Sequence, residues 1–148
     1  MELDKLDKQI INTLISNSRL SYRKIAKMLN VSVATVMHRI NRLKKEKIIK
    51  NFTTFIDYDN LGYDIHVIID IRVAKGKLFQ VENKIANYPN VYAVYDTTGN
   101  FDATIIARFK NRRTMDNFLK KIQTYEFVER TETKLVLNTI KEESVKLQ

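Results

Sequence analysis

The chain has 148 residues, no cysteine and a formal net charge of +9. It therefore has no disulfide, thiolate metal site or cysteine nucleophile; no run approaches the ~20 apolar residues that cross a bilayer, and the acidic opening Glu2-Leu3-Asp4 is unlike a secretory signal, so the expectation is a cytoplasmic protein with no membrane partner. The charge is uneven: residues 1–56 carry twelve Lys/Arg against four acids and the rest fourteen against thirteen, which suits a polyanion bound by the first third.

Between Asp4 and Ser16, Leu6, Ile10, Ile11 and Leu14 recur at helical spacing, and Asp4 and Asp7 stand where carboxylates favour the helix dipole. Asn17 to Leu20 reads as a connection. Ser21 is placed to cap a second helix with Ile25, Ala26 and Leu29 inward, and Asn30-Val31 interrupts it. Ser32 then caps a third helix with Val36, Ile40 and Leu43 inward at i, i+4 and i+7. After Lys47 the pattern turns strand-like from Ile48 to Ile56, and Asp57 to Tyr63 supplies turn residues at the charge boundary. The predicted organisation is a helix-turn-helix domain with a hinge strand over 1–56, a linker over 57–64 and a second domain over 65–148.

In that second domain Ile65, Val67, Ile69, Ile71 and Val73 share one face of a strand, and His66, Ile68, Asp70 and Arg72 the other. A short helix follows with Leu78, Val81, Ile85 and Ala86 inward, ending before Pro89. Val91–Thr98 and Asp102–Phe109 read as a hairpin through Gly99-Asn100-Phe101. A helix from Asn111 to Gln123 aligns Met115, Phe118, Leu119 and Ile122, and Val128–Ile140 reads as the last strand. The order βαββαβ predicts a ferredoxin-like sandwich in an α+β chain, with two helices on one face of an antiparallel sheet. The uncovered face carries Ile68 and Ile106, and a second copy of the chain would cover it.

Tyr22 to Asn41 carries the strongest local signal. Two helices meeting steeply need a small residue at their closest approach, here Ala26, and a turn residue that tolerates a left-handed backbone, here Asn30. On the third helix Ala34, Thr35, His38, Asn41, Arg42 and Lys45 lie away from the apolar stripe, a short polar face suited to the major groove. Arg42 is chemically able to fork onto guanine, Asn41 onto adenine, and Ala34 or Thr35 to meet a thymine methyl. Arg23, Lys24, Lys44 and Lys50 are better suited to phosphates. Tyr22, Ser32 and Arg39 complete the predicted DNA-binding set. The plainer alternative is a three-helix core whose exposed face is merely hydrophilic.

The opening Leu3-Asp4-Lys5-Leu6-Asp7, the run Arg19 to Ala26 and the run Val36 to Leu43 resemble the leucine-responsive/asparagine-operon (Lrp/AsnC) regulators. So do Tyr88 to Val91, Tyr95 to Asp102 and Val128 to Thr133. The resemblance implies a winged helix-turn-helix joined by a hinge strand to an effector-binding and oligomerisation domain. It also implies homodimers that assemble to octamers and bind double-stranded DNA at promoter regions. Two positions depart from the family pattern: Lys47 stands where a glycine is usual, and Glu126-Phe127 replaces the usual Pro-Gly before the last strand.

An enzyme is the competing class, but two isolated histidines and three glycines offer no phosphate loop, nucleophile elbow or metal spacing. No activity, cofactor or metal is expected. A nonspecific architectural DNA-binding protein is a stronger rival, and a pure protein-interaction module a third. An amino-acid effector is expected at Gly99, Asn100 and Asp102, beside Thr131 and Thr133. There turn N–H groups can hold a carboxylate and Asp102 an ammonium.

Overall fold

In a computed structural model describing residues 2–148, the chain divides into two compact units: the part up to Phe55 together with Lys141–Gln148, and Ile56–Ile140. The second domain predicted over 65–148 therefore gives up its last eight residues to the first unit.

The first unit holds α1 (Lys5–Ser16), α2 (Tyr22–Leu29) and α3 (Val33–Lys45). Each begins on a side chain that satisfies otherwise orphaned N–H groups. Asp4 and Asp7 form a reciprocal capping box at α1, Ser21 accepts from Lys24 N–H at 3.2 Å, and Ser32 accepts from Thr35 N–H at 3.0 Å. Asn30 closes α2 in the left-handed region (φ 53°). Ile10, Ile25, Ala26, Val36, Ile40 and Leu43 form the buried centre. The last residues return to this unit. The Asn12 amide donates to Leu147 O at 2.9 Å and accepts from Leu147 N–H at 2.8 Å, and the Leu147 side chain packs on the core.

The strand expected over Ile48–Ile56 is absent. β-branched and aromatic residues satisfy a strand's side-chain preference but not its backbone, which needs a neighbour to pair with. The turn out of α3 uses Lys47 itself at φ 58°, closed by Lys47 N–H to Lys44 O at 3.0 Å and Ile48 N–H to Leu43 O at 2.9 Å. At this helix end the chain thus accepts a left-handed lysine.

In the second unit β1 (Ile65–Val73), α4 (Leu78–Ala86), β2 (Val91–Asp96), β3 (Ala103–Phe109), α5 (Arg112–Gln123) and β4 (Val128–Leu135) form one antiparallel sheet in the order β2-β3-β1-β4. The alternation in β1 and β3 sends Val67, Ile69, Ile71, Ala103, Ile105, Ala107 and Phe109 onto Val81, Ile85, Phe118 and Ile122 of the helices. This is the ferredoxin-like sandwich expected from the element order. Three details differ. Ala86 is exposed, because Val81 and Ile85 already fill the inner stripe of α4. The hairpin strands stop at Asp96 and Ala103, so the connection is longer than its glycine suggested. The last strand ends at Leu135, opposite Val67, and Val136 N–H beyond it still reaches His66 O at 2.9 Å. At the Glu126-Phe127 departure, Val128 N–H closes a turn on Tyr125 O at 2.9 Å and Phe127 packs against the core.

Candidate nucleic-acid interface

α3 turns its inner stripe wholly into the core: Val36, Ile40 and Leu43 are fully buried. On the opposite side Ala34, His38, Asn41 and Lys45 are exposed and Thr35 is half-buried, its hydroxyl 2.8 Å from that of Ser32. Tyr22, Arg23 and Lys24, in the first turn of α2, are exposed, as are Ser32 and Lys50. The face has two short side chains, Ala34 and Thr35, over which a helix can approach a groove closely, amide and imidazole groups able to meet base edges, and lysine at its end.

Arg39 and Arg42 are placed differently from the rest of the predicted set. Both turn back toward α1. Arg39 bonds Asp4 and lies 3.1 Å from Asp7, and Arg42 donates to the other Asp7 oxygen at 2.5 Å. Asp7 is completely buried, so its carboxylate is tolerated there because both oxygens receive a guanidinium. Arg42 gives one guanidinium nitrogen to Asp7 and its side chain remains 41% exposed. These two arginines tie α3 to α1 through Asp4 and Asp7. The Asp7 backbone N–H, followed by Arg39, holds the Asp4 carboxyl below its ordinary value. Matched spacing was the available signal: acids three apart on α1 face arginines three apart on α3.

The expected effector residues gather at one end of the sheet with their polar groups largely engaged. Asp102 accepts from Val73 N–H at 2.8 Å, and its own N–H donates to Ile71 O at 2.9 Å. Ile71 pairs with Ala103 on one side and Thr131 on the other, which sets Asp102 and Thr131 about two strand spacings, roughly 10 Å, apart. Thr131 accepts from Gln123 of α5 at 3.0 Å, and Thr133 is exposed two residues further along. Gly99 takes φ 119°, a backbone that side chains rarely adopt, and Asn100 beside it is exposed.

Among the described residues no group of His, Asp and Glu has metal-binding geometry, and no helix is long and apolar enough to cross a membrane. Comparison with known proteins adds sequence and fold relatives. A family profile for the Lrp/AsnC ligand binding domain matches residues 66–145, and one for a winged helix-turn-helix DNA-binding domain matches residues 3–50. An uncharacterized HTH-type transcriptional regulator of Pyrococcus abyssi is 44% identical, over 95% of this chain and 96% of its own. The structure of E. coli AsnC superposes with a TM-score of 0.92 at 27% identity, covering 99% of this chain and 100% of its own. A Neisseria meningitidis transcriptional regulator solved as an L-Met complex shares the fold, with a TM-score of 0.90 at 20% identity over 99% and 97% of the two chains.

Proposed function

The chain belongs to the Lrp/AsnC family of helix-turn-helix transcriptional regulators, and from that membership we propose that it reads promoter DNA sequence-specifically through the exposed face of α3. The observation that carries this is the pairing of an apolar inner stripe with an outer face of Ala34, Thr35, His38, Asn41 and Lys45. Asn41 is the base reader in this reading. Tyr22, Arg23, Lys24, Ser32 and Lys50 hold phosphates and set the register. Membership makes the chain a DNA-binding regulator and not an enzyme.

The chain works in the cytoplasm as a homodimer assembling to an octamer, joined through the sheet face that no helix covers. Half-buried Ile68 and Ile106 pair across β1 and β3 on that face. An amino acid acts at the end of the sheet bearing Gly99, Asn100, Asp102, Thr131 and Thr133. It acts through its differential affinity for the assembly states. Because one Asp102 oxygen already caps Val73 N–H, the other receives the ligand's ammonium. The methionine held by the Neisseria relative gives the ligand class.

Binding measured from 50 to 200 mM salt, with random DNA as competitor, tests the proposal. About 6–10 phosphate contacts per dimer lower affinity roughly 10³–10⁵-fold over that range. Asn41→Ala relaxes base preference by about 1–3 kcal/mol, whereas Lys50→Ala weakens all sequences alike. Equal affinity for random and selected DNA would instead identify a nonspecific architectural protein.

A further inference from the structure

Tyr88, just beyond α4, and Tyr125, just beyond α5, meet between the two helices with their hydroxyl oxygens 2.6 Å apart. Both rings are fixed from below: Tyr125 is buried, and Tyr88 meets Phe118 edge-on with centroids 5.0 Å apart. A lysine stands over each ring. Lys84 Nζ is 3.7 Å from the Tyr125 centroid and Lys121 Nζ 5.5 Å from that of Tyr88. The four side chains line an open pocket of about 610 Å³, within the range that small-molecule sites occupy.

The pocket has many donors and few acceptors. In a bonded phenol pair one hydroxyl donates to the other, whose own proton is left to point outward, and each ammonium carries three N–H groups. Thr124, also in the lining, spends its hydroxyl proton on Lys121 O at 2.7 Å. Glu126 is the one acid among the lining residues, against two lysines, so the pocket is positive by one charge. The Tyr125 hydrogen bond, with Lys121 and Lys84 nearby, holds the Tyr88 phenol below its ordinary value, while burial pushes Tyr125 up. A positive, donor-rich concavity with aromatic walls selects a small anion having several acceptor oxygens.

We propose that this pocket binds a small oxyanion, the phosphate or carboxylate group of a metabolite, between Lys84 and Lys121 with the Tyr88–Tyr125 pair donating the directed O–H. It draws on none of the residues assigned to DNA or to the amino-acid effector.

The test is ¹⁹F NMR of the full chain labelled with 3-fluorotyrosine, titrated separately with inorganic phosphate and with acetate. The Tyr88 and Tyr125 signals, assigned by Tyr→Phe variants, shift saturably with at least one of the two. Phosphate alone identifies a phosphate-bearing ligand, acetate alone a carboxylate, and both a general oxyanion site. Phosphate held on the helix-turn-helix leaves these two signals in place. Lys84→Met and Lys121→Met each weaken the response about tenfold, the loss of one charge-assisted hydrogen bond. Lys77→Met does not change it, although Lys77 also stands over a ring, 4.7 Å from the Phe127 centroid. Signals that stay put under both anions, or a response that survives loss of both pocket lysines, would overturn the proposal.

Discussion

Among the described residues, eight buried apolar side chains on three short helices form the core of the first unit, whereas thirteen, Tyr125 and twelve on two strands and two helices, form that of the second. The smaller core is supplemented by directed polar bonds: the Asp4–Asp7 capping box, two arginines on buried Asp7 and the Asn12–Leu147 amide pair. Such bonds fix the angle of one helix on another, while apolar burial supplies most of the stability in the larger unit. A recognition helix needs a defined orientation more than a deep core, and the first unit is built accordingly.

The largest expected effect breaks the larger core. Ile69, fully buried at the centre of β1, has the sheet on both sides and helices above it. Ile69→Ala destabilises the second unit by about 2–5 kcal/mol. Hydrogen exchange resolved by residue reads it as lost protection in β1 and β3, with α1 to α3 unchanged.

Asp7→Ala is expected to act in the opposite place. Removing a fully buried member of an ion pair can cost about 3–5 kcal/mol when its partner is left stranded. Here Arg39 and Arg42 are 28% and 41% exposed and can rehydrate, so the cost falls to about 2–3 kcal/mol and is confined to the first unit. DNA affinity falls for all sequences alike, because orientation is lost and no base contact is removed. A change in base preference without loss of stability would place Arg42 on the reading face.

The elements that were legible in the sequence are those whose causes are local. Ser21, Ser32 and Asn30 mark the helix ends by chemistry that acts within four residues, and the Val36/Ile40/Leu43 stripe and the β1 alternation mark buried faces by period alone. What was not legible depends on partners distant in the chain. The 48–56 segment has a strand's β-branched and aromatic residues but no neighbour, β4 stops at Leu135, and the ion pairs of Arg39 and Arg42 show only once α1 is placed beside them. The tail from Lys141 to Gln148 gives no periodic signal. It is held by the Asn12 amide on α1, 135 residues away from Leu147, and by the packing of Leu147 on the core.

That amide supplies a smaller test of the same contrast. Asn12→Ala removes two hydrogen bonds, one given and one accepted, and releases Leu147 from the core. Because the freed backbone groups at Leu147 can rehydrate, the cost is about 1 kcal/mol. The effect belongs to the first unit alone and is read as faster exchange in α1. An equal change in α4 and α5 would mean that the tail braces both units.

The smallest effect has the opposite sign. Lys47 leaves α3 in a left-handed conformation, which costs an L-residue roughly 1–2 kcal/mol and glycine nothing. Glycine gives back part of that gain through its freer unfolded chain, and the lysine's charge favours the carbonyl end of the helix by a few tenths of a kcal/mol. Lys47→Gly is therefore expected to stabilise the first unit by about 0.5–1 kcal/mol and leave the second unit as it is. The same change removes one exposed positive charge beside the recognition helix. If that charge meets a phosphate, the slope of log affinity against log salt becomes shallower by about 1 per contact. That shallower slope would explain the lysine's presence where glycine would fit better. Unchanged affinity in the stabilised variant would leave the strain with no binding role.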